Sequence, residues 1–204
     1  MKHFGPEELL DCYRRGVFPM ADSRDDPRVF LLDPDERGII PLDGLHISRS
    51  LKKFMRNMPF NITFDKAFSE VISKCAEAAP DRENTWINDG IEYLYGRLHA
   101  HSHAHSVEVW QDRQLVGGLY GVSIGGAFFG ESMFSRATNA SKVALVYLVE
   151  RLNAAGYQLL DTQFMTDHLK TMGAVEISRQ EYHELLKDAL EIQTSFHLAS
   201  QKEA

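Results

Sequence analysis

The sequence predicts an α+β fold, a mixed sheet with helices on both faces, and three observations carry that prediction. The chain has 204 residues, enough for one ordinary domain plus a smaller appendage, or for two small domains. Apolar residues make up 44% and charged residues 25%, the composition of a globular chain with material for a real core. In the second half, an apparent hairpin is followed by runs in the order strand, helix, strand, helix, strand, helix. Strand–helix–strand order calls for a parallel pair with a right-handed crossover, and the hairpin calls for antiparallel neighbours, so the sheet is mixed.

Each element follows from its own local pattern. Residues 6–15 read as a helix, with Pro6 at the first position and Gly16 just past the end. Residues 22–26 are a polar loop, and 29–32 and 38–41 are short strand candidates around the turn "DPDERG". Residues 48–58 read as a helix capped by Ser48 and stopped by Pro59. Residues 60–64 alternate like a strand. Asp65 then caps a helix to residue 79, with Ala67, Phe68, Val71, Ile72 and Cys75 along one stripe. A further helix spans 89–99. "HSVEVWQ" and "QLVGGLYGVSI" are strands joined at the polar turn Asp112–Arg113. A strand at 127–130 follows the Gly125–Gly126 turn. Asn139 or Ser141 caps a long helix closed by Gly156. Residues 159–163 form a buried-type strand, Thr166 caps a short helix to 172, residues 174–177 are a strand, and Ser178 starts the last helix. A small N-terminal domain is expected over residues 1–60 and the main domain over 61–204.

Composition also excludes several classes. No apolar run approaches the roughly 20 residues of a membrane helix, and the start "MKHFGPEELLDCYRRG" has acids and a proline where a signal peptide needs an apolar stretch. The two cysteines, Cys12 and Cys75, form no CxxC, which suits a reducing cytoplasm and excludes a disulfide scaffold or a cysteine zinc site. A net charge of −7 argues against a general nucleic-acid binder. The charge is uneven, however: no acid occurs from Gly44 to Phe64, and four bases sit within eight residues there.

Those bases, Arg49, Lys52, Lys53 and Arg56, occupy i, i+3, i+4 and i+7 and share one side of a helix, with Leu51, Phe54, Met55 and Met58 on the other. No acid alternates with them, so the face does not neutralise itself. It is either a solvated face or a polyanion-binding one. In "GGAFFGESMFSRATNASK", Glu131 ends an apolar run. It is either a strand-end carboxylate paired with Arg136 or Lys142, or a partly desolvated anion that binds a cationic ligand. Asp161 and Gln163 alternate along "LLDTQF" and share one face, at the carboxyl end of a parallel strand where open α/β sheets place ligand crevices. Neither is cationic or nucleophilic, so the pair suits binding, orientation and proton handling.

Other motifs lead away from chemistry. His99, His101, His103 and His105 alternate, which would suit zinc along a strand, but the run spans a helix end turning into a strand and no nearby acid or cysteine completes a set. "GESMF" lacks the last glycine of the G-x-S-x-G elbow, which argues against Ser132 as a nucleophile. Cys12 and Cys75 fall on helix faces as packing residues. The loop "SRATNAS" before the long helix has no glycine, unlike the loops that cradle pyrophosphates.

The sequence resembles the leucyl/phenylalanyl-tRNA–protein transferases, from about Tyr13 to Tyr182. The resemblance rests on "RRGVFPM", "ISRSLKK", "TWI", "AHSVEVW", "LVGGLYGVSIGGAFFGESMFSRATNASKVAL" and "LLDTQFMTDHLKTMGAVEISR". It implies a small α/β N-terminal domain beside a domain similar to the GNAT acyltransferase fold. It implies transfer of Leu, Phe or Met from aminoacyl-tRNA to the α-amine of a protein beginning with Arg or Lys, marking that protein for degradation. It implies no metal, ATP or organic cofactor, and no membrane partner. By the same resemblance, Gln163 would contact the attacking amine or the reacting carbonyl, held by Asp161. Glu131 would receive the cation of the acceptor's first residue. Trp86, Phe128, Leu145 and Leu148 would line the pocket for the transferred side chain, and Arg49, Lys52, Lys53 and Arg56 would contact tRNA.

The sequence departs from the family pattern where many members have a "WWSP"-like stretch and this one has "LLDP", Leu31 to Pro34. An aromatic platform for the terminal adenine is thereby lost. Ser102 stands where glycine is usual. Two other readings compete: a coenzyme A-dependent N-acetyltransferase, against which the glycine-free loop counts, and a non-catalytic RNA-binding module, which leaves Glu131, Asp161 and Gln163 unexplained.

Overall fold

Strand pairing in the computed structural model, which describes residues 4–26, 28–77 and 85–198, gives a two-stranded ribbon and a seven-stranded sheet. Along the chain the elements are α1 (Pro6–Arg14), β1 (Phe18–Met20), β2 (Phe30–Leu32), β3 (Glu36–Ile39), α2 (Arg49–Met55), β4 (Asn61–Phe64), α3 (Phe68–Ala76), α4 (Asp89–Ala100), β5 (Ala104–Gln111), β6 (Gln114–Ile124), β7 (Ala127–Ser135), α5 (Ala140–Ala155), β8 (Leu159–Gln163), α6 (Asp167–Thr171), β9 (Val175–Ser178) and α7 (Arg179–Leu190). The large sheet runs β4-β5-β6-β7-β8-β3-β9. Neighbours are antiparallel except β7 and β8, the parallel pair that α5 crosses over. The mixed α+β architecture expected from the element order is therefore present.

Each face of the sheet buries its own core. On one face, Leu9 and Tyr13 of α1, Val71 of α3, Tyr95 of α4 and Tyr182 of α7 pack with Phe129 and Tyr120. On the other, Leu51 of α2, Leu145 and Leu148 of α5 and Leu169 of α6 pack with Phe128 and Leu160. Strand β3 comes from the first sixty residues yet lies between β8 and β9, so it ties that segment into the same sheet as the rest. No helix among the described residues is long and apolar enough to cross a membrane.

Ser48, Thr166 and Ser178 cap their helices as expected, each accepting a backbone N–H three residues on at 3.2 Å. Four details differ from the sequence reading. Asp65 does not cap α3: Ala67 holds that position without a side-chain bond, and the Asp65 carboxylate turns instead to β5, accepting Ser106 N–H at 2.8 Å. Residues 78 and 79, the expected end of that helix, lie outside the described residues. Asn139 holds the cap position of α5 in the left-handed region, φ 66°, without a capping bond; Ser135 Oγ on β7 accepts the Ser141 N–H instead. Strand β7 continues to Ser135, past Glu131. Strand β1 was not legible as a strand, because three residues with a proline carry no periodicity.

Candidate active site

Glu131 sits at a bulge in the middle of β7. Gly130 pairs with Gly121 and Ser132 with Tyr120, so Glu131 is the extra residue between consecutive partners on β6. A bulge re-aims a side chain. Here it turns the carboxylate to the side of α1 and α4, where Tyr13 OH donates to Oε1 at 2.7 Å and Tyr95 OH to Oε2 at 2.9 Å. The two tyrosine oxygens also lie next to each other, so the two phenol protons are shared among three close oxygen contacts. The bulge needs glycine opposite: a Cβ on Gly121 would lie 2.3 Å from the Phe129 carbonyl oxygen and 2.4 Å from the Phe128 ring.

A second bulge closes the adjacent strand. Gly38 pairs with Gln163 and Ile39 with Asp161, leaving Thr162 unmatched. Gln163 adopts φ 63°, a left-handed conformation that costs a side-chain-bearing residue about 1–2 kcal/mol. Asp161 stabilises it by accepting the Gln163 backbone N–H at 2.8 Å. The Gln163 amide then donates from Nε2 to Glu131 Oε1 at 2.9 Å. The two bulges thus bring the two side chains into contact.

Arg37 fixes this arrangement from behind. Its Nε and NH2 donate to the two oxygens of Asp161 at 3.0 and 2.7 Å, and NH1 donates to the Gly16 carbonyl at 3.0 Å. Tyr182 OH donates to Asp161 at 2.8 Å. The guanidinium lies between the rings of Phe18 and Tyr182, 4.5 and 4.3 Å from their centroids. Burial works against its charge, yet the Asp161 pairing holds its pKa above the ordinary value. Gly16 presents its carbonyl from a left-handed turn, φ 76°, which glycine adopts without strain.

In front lies a cavity of about 630 Å³. Its walls include Trp86, Met133, Leu145, Leu148 and Leu160, and its polar edge carries Glu131, Gln163 and Thr162. Burial pushes the Glu131 carboxyl up to about 7, against the lowering effect of the Tyr13 and Tyr95 hydrogen bonds; Asp161 adds to the rise and Arg37 opposes it. A half-open, largely apolar cleft with an acid and an amide at one edge suits a ligand with a greasy body and a cationic or amine end.

Sequence comparison places the chain in a family. Residues 39–187 match the family profile described as leucyl/phenylalanyl-tRNA protein transferase, and residues 4–35 match the profile of its N-terminal domain. The chain belongs to this family. The transferase from Maricaulis maris (strain MCS10) is 60% identical over 96% of this chain and 91% of its own length. The one from Phenylobacterium zucineum (strain HLK1) is 58% identical over 97% of this chain and 89% of its own length. Likeness to solved structures is distant. A ribosomal-protein-alanine N-acetyltransferase from Brucella melitensis biovar Abortus 2308 overlays with TM-score 0.33 at 13% identity, over 46% of this chain and 72% of that one. The protein is an aminoacyl-tRNA protein transferase, an enzyme that moves an activated amino acid onto a protein.

The fold brings together five of the residues singled out in the sequence. Glu131, Gln163, Trp86, Leu145 and Leu148 all border the one cavity. Asp161, fully buried, lies beneath Gln163 and does not reach the space. Phe128 does not border it either: its ring is fully buried in the same core as Leu145 and Leu148, behind the cavity wall and 5.7 Å from Phe196. Alternation along a strand shows that a residue faces one side of a sheet; it does not show what covers that side. The bases Arg49, Lys52 and Lys53 on α2 and Arg56 at its C-terminal cap are exposed, outside the cavity, while Leu51 is buried beneath them. Arg136 reaches Glu77, not Glu131. Sequence reading missed Arg37, Tyr13, Tyr95 and Tyr182. Arg37 stands in a stretch that looks like a polar turn, and the tyrosines look like ordinary core residues.

Proposed function

We propose that the enzyme moves Leu, Phe or Met from aminoacyl-tRNA to the free α-amine of proteins that begin with Arg or Lys, in the cytoplasm, and so marks them for degradation. The observation that carries this reading is the contact between Glu131 and Gln163 at the edge of an apolar cavity. In it, Trp86, Leu145 and Leu148 accept the transferred side chain, a pocket whose shape favours unbranched over β-branched residues. Glu131 receives the guanidinium or ammonium of the acceptor's first residue in a charge-assisted bond. Gln163, held by Asp161 and Arg37, positions the α-amine against the ester carbonyl. The new C–N bond forms as the ester C–O bond breaks, and the ribose oxygen leaves with a proton from the amine. The ester is already activated, so orientation and oxyanion stabilisation supply the catalysis. The exposed bases of α2 hold the tRNA backbone. This division of labour gives α2 the tRNA and the sheet, β3 included, the chemistry.

The test is transfer of labelled Leu from Leu-tRNA to matched peptides beginning with Arg, Lys, Ala or Asp. Labelling of the Arg and Lys peptides alone is expected, with Glu131→Gln raising KM for both. Equal labelling of all four would remove the acceptor reading, and no labelling would remove the reaction. Acetyl transfer from acetyl-coenzyme A would favour the acetyltransferase alternative, and tight tRNA binding without turnover the RNA-binding one.

A further inference from the structure

A polar cluster outside the cavity is unused by the transfer reaction. Three side chains from distant parts of the chain meet there: Asp65 after β4, His105 on β5, and His197 beyond α7. His105 Nδ1 lies 2.7 Å from Asp65 Oδ2, and His197 Nε2 lies 3.0 Å from the same oxygen. All three ligand atoms fall within 4.8 Å of one another. The other oxygen, Oδ1, is oriented by the Ser106 backbone N–H at 2.8 Å. Asp65 holds a left-handed backbone, φ 56°, an uncommon conformation that directs its side chain into the cluster.

We propose that Asp65, His105 and His197 form a binding site for a divalent transition cation of the zinc class, which fastens the C-terminal segment to the sheet. Two imidazoles and a monodentate carboxylate are a zinc donor set, leaving the fourth tetrahedral position to water. The carboxylate has the division of labour seen around such ions, one oxygen toward the metal and the other held by a second-layer donor. Bond lengths of about 2.0–2.1 Å and tetrahedral angles put ligand atoms about 3.3 Å apart, so the two nitrogen–oxygen separations, 2.7 and 3.0 Å, would open by about 0.3–0.6 Å, while the two nitrogens already lie within 4.8 Å of each other. With the ion bound, each imidazole would carry its one proton on the far nitrogen, and the facing nitrogen, freed of the proton it shares with Asp65, would ligate.

The cation would complete a clamp that already exists. Phe196, next to His197, is buried and stacks on His105 with centroids 4.2 Å apart. Its ring also faces Phe128 and Phe64. Arg151 covers the Phe64 ring at 3.9 Å, and His99 Nδ1 comes within 3.8 Å of Asp65 Oδ1. The histidine run of the sequence is therefore split. His99 and His105 turn to an acid forty residues away or less, while His101 stays exposed and bonds the Arg97 carbonyl. The missing acid of the sequence pattern is Asp65, supplied from the turn just past β4.

The test uses the full chain without a histidine tag, stripped by chelator and titrated with zinc chloride by calorimetry. One ion per chain is expected, with a rise in Tm of about 5 °C at a hundredfold excess over Kd. His197→Ala, a change at an exposed residue, should abolish both effects and leave Leu transfer intact. The double variant His101→Ala/His103→Ala should keep both. Absence of saturable binding overturns the proposal, as does unchanged binding in His197→Ala or loss of binding in the double variant. A Tm loss in His197→Ala that is equal with and without zinc would show a hydrogen-bonded latch in place of a metal site.

Discussion

Arg37 grips both oxygens of Asp161 where neither side chain is more than 1% exposed. The pair joins β3 to β8 and sets the oxygen that holds the Gln163 backbone. Breaking a buried pair leaves one charge with no solvent and no partner. Arg37→Met should therefore destabilise the protein by about 3–5 kcal/mol in urea denaturation. Restoring neutrality with Arg37→Met/Asp161→Leu should recover part of that stability, because an apolar pair replaces the ions without a desolvation cost while the Gly16 carbonyl, the Tyr182 hydroxyl and the Gln163 N–H lose their partners. Transfer should not recover, because Gln163 has lost its anchor. A double variant that regains both stability and activity would show that the pair is only structural.

Glu131 gives the fold a pH dependence of a definite sign. Its carboxyl titrates near 7 when folded and near 4.3 when unfolded, so the folded state binds the extra proton. Its stabilising contribution is complete below about pH 4.3 and is lost as pH rises through 7, an effect on the order of 3 kcal/mol. Glu131→Gln keeps the shape and removes the titration. The stability of the variant relative to the parent should therefore increase from pH 5 to pH 8, measured by urea melts at each pH. A constant difference across that range would show that burial does not raise this carboxyl.

Binding of the acceptor should reverse that shift. A guanidinium against Glu131 favours the ionised form, so an Arg-initiated peptide bound at pH 7 should expel part of a proton from the enzyme. Calorimetry in two buffers of different ionisation enthalpy reads that release directly. Subtracting the same measurement on Glu131→Gln removes the contribution of the peptide's own α-amine. Equal release by both proteins would place the cation elsewhere.

The cavity makes a separate prediction. Leu145 and Leu148 project from α5 at its apolar wall, three residues apart and so on one side of the helix. Leu145→Phe should occupy part of the space and lower kcat/KM for Phe-tRNA more than for Leu-tRNA, by roughly 10-fold in the ratio. Competition between the two charged tRNAs in one reaction measures it. An unchanged ratio would place the side-chain pocket outside this cavity.

How much of this was legible in the sequence depends on how far each feature reaches along the chain. Ser48 and the four bases of α2 depend on their neighbours within two turns, and the helix forms as the spacing requires. Glu131 was recognisable as unusual, but its place at a bulge was not, because the bulge exists only in register with Gly121 and Tyr120 on β6. Arg37 is the extreme case. A charged residue in a turn-like stretch is normally solvated, and only the pairing of β3 with β8 reveals that it is fully buried. Phe128 stands away from the cavity for the opposite reason: its face is legible, but its cover, Phe196, comes from far along the chain.

The basic helix is tested by salt. Lys52 and Lys53 are exposed on α2, and Leu51 between α2 and the core keeps the helix in place. If both lysines bind phosphates, Lys52→Ala/Lys53→Ala should lower the slope of log K against log salt by about 1.4–1.8, the contribution of two released counterions. Binding should weaken to a similar extent for every tRNA, since backbone contacts carry no base information. Leu transfer at saturating Leu-tRNA should be nearly unchanged, because the cavity is untouched. Filter binding from 50 to 200 mM salt gives the slope, and an unchanged slope would mean that this face is solvated and that the tRNA is held by other residues.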